Sequence, residues 1–170
     1  MRRPATSTPS FGALALAVVI ASLPRAGRAA GNEACALLTA AELQGVLGAK
    51  VSGLDGGTAS KDAAICTGST PTASVMLRKA TREAGHEGME AKGIQIAEKM
   101  GAKVEVKTFG PVTCSTMVPA KSMEAYGFNT TCSVLKGGRV GAVEVTVKSS
   151  KDMVSIEKLR PLAEKIAGRL

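Results

Sequence analysis

The sequence predicts an α+β domain in which an antiparallel sheet of about five or six strands has its helices packed mainly against one face. Two kinds of periodicity predict this class. Residues 103–109 and 143–147 alternate apolar and polar side chains, which is typical of half-buried strands. Residues 83–100 and 156–170 place apolar side chains at helical spacing, which is typical of amphipathic helices.

The length and composition are those of one soluble globular domain. The chain has 170 residues, of which 45% are hydrophobic and 21% are charged. This apolar fraction is sufficient to fill a core, whereas the charged fraction is too high for a membrane protein and too low for a disordered chain.

The N-terminal segment is predicted to be a secretory signal peptide. Arginines near the start precede an apolar run over 11–23, and that run is too short to span a bilayer. Small residues at the end of the segment favour cleavage after Ala29. The predicted organisation is therefore a signal peptide over 1–29 and a single domain over 30–170.

Removal of the signal peptide halves the net charge of the chain. Four of the 22 Lys and Arg residues leave with it, so the formal net charge falls from +8 to +4. The other basic residues are interspersed with acidic ones, and the aromatic residues of the mature chain are only Phe109, Tyr126 and Phe128. Nucleic-acid sites need a basic groove or stripe, often with stacking rings, so no nucleic-acid partner is expected.

The four cysteines, Cys35, Cys66, Cys114 and Cys132, are predicted to form two disulfides, because thiols of exported chains are normally paired. Four cysteines allow three connectivities. The preferred pairs are Cys35 with Cys66 and Cys114 with Cys132, since each pair brackets one half of the mature chain. Structural zinc sites and thioredoxin-like redox sites use closely spaced cysteines, and this sequence has none.

The first half of the mature chain is predicted to contain a short helix followed by strands. Thr39 and Glu42 form a capping box that starts the helix, and Gly48 ends it. The remaining predictions are a short strand over 49–53, a turn or flexible loop over 54–62, and a hairpin of strands over 64–67 and 73–80.

The second half is predicted to start with the helix over 83–100, which Gly101 ends. Pro161 is expected either to kink the last helix or to lie in the first turn of its straight part. The other predictions, in chain order, are a strand over 103–109, an irregular segment over 110–127, a hairpin of strands over 128–134 and 143–147 with Gly137-Gly138 as its turn, and a final helix over 156–170.

A short internal match suggests a repeat. Gly-Ala-Lys-Val occurs at 48–51 and again at 101–104, each time at a predicted helix-to-strand junction. The match predicts two helix-strand-strand-strand units followed by a C-terminal helix, and chance recurrence is the alternative.

The segment between Cys114 and Cys132 is the strongest candidate for a partner-binding site. It places several apolar side chains in a long segment that a disulfide closes, and such loops often present apolar groups to a partner. The alternative is that these side chains fold back onto the sheet. The candidate residues are Met117, Val118, Met123, Tyr126 and Phe128.

A metal site and an active site are both disfavoured. His86 and Glu90 lie four residues apart on one helical face and could share a cation, with methionines as soft neighbours, but a solvated surface pair is the alternative. His86 is the only histidine, so no Ser-His-Asp triad can be assigned, and the disulfides would occupy every cysteine. The chain is therefore expected not to be an enzyme and to hold no cofactor.

The two ends of the mature chain resemble those of small exported bacterial proteins of unknown function, notably certain actinobacterial lipoproteins. The residues that carry the resemblance are 35–43 (CALLTAAEL), 47–48 (LG), Cys66 and 159–170 (LRPLAEKIAGRL). The resemblance implies an α+β domain with a Cys35 to Cys66 bridge, and it transfers no catalytic residues. Asn32-Glu33-Ala34 precedes Cys35 in place of the Leu-small-small run of a lipoprotein, so no membrane anchor is expected.

These observations favour an exported binding or protein-interaction module, periplasmic or secreted, that uses the free face of the sheet or the segment from Cys114 to Cys132. The alternation of helix and strands is also loosely similar to that of tandem-repeat secreted inhibitors of hydrolases, which makes an inhibitor the more specific form of this hypothesis. The alternative is a carrier of a small ligand or metal, with a pocket between sheet and helices and His86 or the methionines at its mouth.

Overall fold

The computed structural model of the protein describes residues 32–81 and 86–170, and the side chains of 58, 59 and 86–91 are outside this description. The predicted signal peptide and its cleavage site lie outside the described residues as well. Within the described part, the chain forms one seven-stranded antiparallel sheet with helices, so the α+β class is confirmed. The elements are α1 (Ala40–Leu47), β1 (Ser52–Ser60), β2 (Ala63–Ser69), β3 (Ala73–Thr81), α2 (His86–Lys99), β4 (Lys103–Phe109), β5 (Val112–Val118), a 3-10 helix (Lys121–Tyr126), β6 (Phe128–Lys136), β7 (Arg139–Val147), a 3-10 turn (Ser150–Asp152) and α3 (Ile156–Ala167).

The sheet consists of two meanders that meet in the middle. The strand order is β1-β2-β3-β7-β6-β5-β4, so β3 pairs with β7, and the edges are β1 and β4. The predicted unit of helix and three strands is correct for the first meander, but the second has four strands after α2. The predicted repeat of two such units is therefore wrong in its second half.

Strand β5 accounts for the difference from the expected five or six strands, and β1 differs from its prediction in position and length. The segment over 110–127 was expected to be irregular, but β5 occupies Val112–Val118. Apolar and polar residues alternate only over 112–115, and Thr116 then takes a core-face position, where β-branched Thr fits a pleated strand. A short strand over 49–53 and a loop over the Gly-rich residues 54–62 were expected, but β1 covers Ser52–Ser60 and so includes most of the expected loop.

Strand β1 is rich in glycine because the Asn32 side chain packs directly against its backbone. The side chain of Asn32 lies against Gly56, where any Cβ would overlap it. Its amide nitrogen donates hydrogen bonds of 2.8 Å to both the Gly57 and the Ile65 carbonyl oxygens. The glycines of this strand therefore mark a close approach of another segment, which is a recognised role of glycine in strands, and not a flexible loop.

The two faces of the sheet differ in what covers them. We call the face that carries the Cys114 and Val143 side chains the core face, and the opposite one, which carries Met117 and Glu144, the open face. Helices α1 and α3 cover the core face, and α3 lies across β5, β6 and β7. The fully or nearly buried side chains of α3 are Ile156, Leu159, Leu162, Ala163 and Ile166.

Helix α3 is packed closely against the sheet. Gly141 of β7 lies directly under it, and a Cβ at this position would overlap the side chain of Ile166. Pro161 lies inside the helix and not in its first turn. Ser155 caps the helix by accepting a hydrogen bond of 3.3 Å from the Lys158 amide.

Glu42 joins the two helices of the core face. Its carboxylate receives a bidentate pair of hydrogen bonds, both 2.8 Å, from the Arg169 guanidinium, and a third of 3.2 Å from Lys165. It also completes the predicted capping box with Thr39, which is confirmed. The Arg169 hydrogen bonds, with those from Lys165 and Thr39, hold the pKa of Glu42 well below its usual range.

Both preferred disulfides are confirmed. Cys35 bonds to Cys66 with the Cα atoms 5.0 Å apart, which fixes the segment before α1 to strand β2. Cys114 and Cys132 are directly opposite each other on β5 and β6, with the Cα atoms 4.0 Å apart. Cys66, Cys114 and Cys132 are fully buried, and Cys35 is partly buried against the core.

Candidate functional site

The open face of the sheet is unusually polar at its centre. Glu144 accepts hydrogen bonds of 3.4 Å from the hydroxyls of Thr131 and Thr146. Ser133 lies one residue pair further along β6, opposite Ala142. Because the core face of the same strands carries the apolar residues, this face does not contribute to the main core.

An apolar groove lies at one end of the open face, between α2 and the connection from β5 to β6. It has a volume of about 170 Å³. Since Met117 of the open face lines it, α2 lies over this face and not over the core face with the other two helices. The lining residues are Gly93, Ile96, Ala97, Met100, Ala102, Met117, Pro119, Ala120, Met123, Tyr126 and Gly127.

Two glycines shape the walls of this groove. Gly101 adopts a φ of +88°, so the chain leaves the helical path within two residues of Lys99, the last residue of α2. Gly127 adopts a φ of +87° and passes so close to β7 that a Cβ would lie 2.7 Å from Thr146 Cγ2 and 2.9 Å from the Val147 carbonyl oxygen. Only glycine combines that backbone conformation with that approach, so the 3-10 helix is held beside the sheet.

The apolar side chains around the groove are exposed. Ile96 is 58% exposed, Met100 is 51% exposed and Tyr126 is 75% exposed. No described side chain of α2 is buried. The helices were expected to pack mainly against one face of the sheet, but α2 lies over the opposite face from α1 and α3, and its apolar residues line a surface groove. Contiguous exposed apolar groups of this kind mark interaction sites.

The structure divides the five candidate partner-binding residues between the two faces. Met117, Met123 and Tyr126 come together in the groove. Val118 packs against the core and Phe128 is buried in it. The prediction of one long loop is wrong for these two because they lie within β5 and β6, where the alternation of the strand directs them to the core face.

The contribution of α2 to the groove was not predicted from the sequence. Ile96, Ala97 and Met100 supply one wall of the groove. Their helical spacing is evident in the sequence. An apolar stripe on a helix does not show, however, whether the helix packs against the core or lines an open groove.

A second, more polar cleft lies at the other end of the domain, where the segment before α1 meets β2, β3 and β7. Its volume is about 360 Å³. The Lys79 ammonium forms an ion pair of 2.8 Å with Glu33 at its edge, and this contact lowers the pKa of Glu33. Arg139 donates a hydrogen bond of 3.2 Å from the same end of the sheet to the Leu170 carbonyl oxygen. Lys61 and Asp62 also line this cleft.

The two residues of the candidate metal site have side chains outside the described part of the structure. His86 and Glu90 belong to helix α2, but their side chains are outside the description. Among the residues described, there is no group of three His, Cys, Asp or Glu side chains that could hold a metal ion. No helix in the described ranges is long and apolar enough to cross a membrane.

Comparison with known proteins shows the fold but no family. No protein-family model matches the sequence, and no curated protein matches it. Among solved structures, the chain is similar to the extracellular domain of PknH from Mycobacterium tuberculosis, with a TM-score of 0.53 and 11% sequence identity over 84% of this chain and 97% of that one. At this identity the likeness is one of fold, and the resemblance to actinobacterial lipoproteins stays a prediction.

Proposed function

We propose that the protein is an exported binding module, periplasmic or secreted, and that its apolar groove receives apolar side chains of a protein partner. The observation that carries the proposal is the exposure of Ile96, Met100 and Tyr126 around a concave surface. Leaving such groups in water costs roughly 25 cal/mol for each Å² of apolar surface, so covering them would favour association.

The size and composition of the groove favour a protein partner over an enclosed organic ligand. Its volume of about 170 Å³ is below the range of roughly 300–1,000 Å³ in which small-molecule sites usually fall. Met100 directly follows α2, Met117 belongs to β5 and Met123 to the 3-10 helix, and their unbranched side chains adapt to a partner's shape. An inhibitor of a secreted hydrolase is the more specific form of this proposal, and no residue is assigned a catalytic role.

Three features support export. The N-terminal sequence has the pattern of a signal peptide, both disulfides are formed, and the structure to which the chain is similar is named as an extracellular domain.

The second candidate function is that of a small-ligand carrier, and the polar cleft favours it. Its volume of about 360 Å³ lies within the usual small-molecule range, and Lys61, Lys79 and Arg139 line it together with Glu33 and Asp62. Such a lining suits a small ligand that bears a carboxylate or phosphate group.

Photo-cross-linking in the exported compartment of the native organism tests the main proposal. A benzophenone amino acid replaces Tyr126 on the groove, and in a matched control it replaces Leu135, which is 37% exposed on the open face away from the groove. We expect a discrete cross-linked product from the Tyr126 variant and not from the Leu135 variant. Adding Met123→Asp should lower the yield about tenfold or more, because a carboxylate would have to be desolvated in the groove.

Equal yields at the two positions, or a yield that Met123→Asp leaves unchanged, would contradict the proposal. Absence of any product from the Tyr126 variant, with the folded protein present in that compartment, would also count against a protein partner.

A further inference from the structure

Strand β4 is an edge of the sheet whose outer side is unpaired in the described structure. It is the last strand in the order and pairs only with β5. Most of its side chains are exposed, and Val106 at its centre is 47% exposed. Such an edge presents a row of backbone N–H and C=O groups to any strand that can pair with it.

The hairpin between β4 and β5 determines which backbone groups point outward. Gly110 and Pro111 form a two-residue turn, and Phe109 is paired with Val112 across it. Residues that flank a two-residue turn exchange hydrogen bonds, and hydrogen-bonded pairs alternate along an antiparallel ladder. The β4 residues of the same parity as Phe109, among them Lys107, therefore bond inward to β5.

The spacing of the disulfide between β5 and β6 agrees with this assignment. The Cα atoms of Cys114 and Cys132 are 4.0 Å apart, which fits a pair that does not exchange hydrogen bonds. Cys114 therefore directs its backbone groups to its other neighbour, Lys107 of β4. It follows that Val104, Val106 and Thr108 direct their N–H and C=O groups to the outside of the sheet.

The charges of β4 are complementary to a second copy of the same strand. In an antiparallel pair centred on Val106, the two Val106 residues exchange hydrogen bonds, and Glu105 lies opposite Lys107 of the second copy on both sides of the two-fold axis. These opposed residues form a pair without hydrogen bonds between them, in which side chains are closest. Centring the pair on residue 105 or 107 would instead place like charges opposite each other.

The surroundings of β4 leave room for this pairing. Helix α3 lies over β5, β6 and β7, and α2 contacts β4 from the open face, so both helices lie on faces of the sheet and not beside its β4 edge. Lys107 already extends along the core face, where its ammonium lies 3.0 Å from Glu105 and 3.1 Å from Glu157 of α3. Glu105 of a second copy would therefore meet Lys107 on the face where Lys107 already pairs with Glu105 and Glu157.

From the register and the charges we infer that two copies of the protein pair through β4, antiparallel and centred on Val106, so that their seven-stranded sheets become one. The two-fold axis crosses the sheet from face to face, so both apolar grooves open on the same side of the dimer. This surface is separate from the groove, and the inference holds whether or not the groove binds a partner.

Analytical ultracentrifugation of the mature protein tests the inference. Every variant carries Glu157→Gln, so that a carboxylate introduced at position 107 does not face a like charge from α3. We expect the Glu157→Gln parent to sediment as a dimer at about 0.5 mM, since short edge interfaces bind in the micromolar range or more weakly. Glu105→Lys should weaken the dimer on the order of tenfold, and Glu105→Lys/Lys107→Glu should restore it, because opposite charges again face each other.

Val106→Pro provides a second test that does not depend on charge. Proline is tolerated on an edge strand where the N–H points to solvent, so the monomer should keep its circular dichroism spectrum while the dimer is lost. A parent that is monomeric at about 0.5 mM would overturn the inference. A dimer that resists both Glu105→Lys and Val106→Pro, or that the double charge exchange fails to restore, would overturn it as well.

Discussion

Replacing Cys35 and Cys66 together by alanine is expected to lower the free energy of unfolding by about 4 kcal/mol, because the disulfide closes a segment with a sequence separation of 31. The bridge also fixes the segment before α1 to β2, and Ala34, Leu37 and Leu38 of that segment are buried in the core. Urea unfolding of the folded, oxidised protein and of the double variant measures the difference.

The second disulfide provides the matched comparison. Cys114 and Cys132 are separated by 18 residues and already face each other in the ladder, so their removal should cost less, about 3 kcal/mol. A loss below about 1 kcal/mol for the Cys35/Cys66 pair, or a clearly larger loss for the Cys114/Cys132 pair, would contradict this account of the fold.

Leu159→Ala is expected to lower the free energy of unfolding by about 3 kcal/mol. Leu159 has no exposed surface at all, and it lies in the middle of the α3 face that covers the sheet. Truncation removes apolar contacts and leaves a cavity that the close packing of Ile166 over Gly141 should prevent from collapsing.

Lys158→Ala is the control for Leu159→Ala. Lys158 is exposed on the same helix, and Ala and Lys have similar helix propensities, so thermal or urea unfolding should change by less than about 0.5 kcal/mol. Similar losses for the two variants would show that α3 does not cover the core.

The elements that show a single helical or strand periodicity could be predicted from the sequence. The capping box at Thr39, the hairpin of β6 and β7 and the apolar stripe of α3 each combine a pattern with a stop or turn signal, and all are present. Strand β5 was missed because the adjacent polar residues Ser115 and Thr116 interrupt the alternation that marks a half-buried strand. Strand β1 was predicted too short, over 49–53, because its glycines meet Asn32 and contacts between distant segments leave no local pattern.

The site was only partly predictable for a related reason. Composition showed that the segment between Cys114 and Cys132 is rich in apolar residues, and Met117, Met123 and Tyr126 are at the groove. Whether a given residue faces the groove or the core depends on strand register, which places Phe128 in the core. Ile96 lines the groove because α2 lies over the open face, and no local sequence pattern predicts on which face of the sheet a helix packs.

The most direct test of the groove follows the methionine methyl signals by NMR, in isotopically labelled protein, during titration with anilinonaphthalene sulfonate as an apolar probe. Met100, Met117 and Met123 line the groove, whereas Met76 lies on β3 and Met153 packs against the core, so the last two are internal controls. If the groove receives apolar groups, the three groove signals should shift together while the two controls stay in place. An absence of shifts at saturating probe, or shifts confined to Met76 and Met153, would contradict the account.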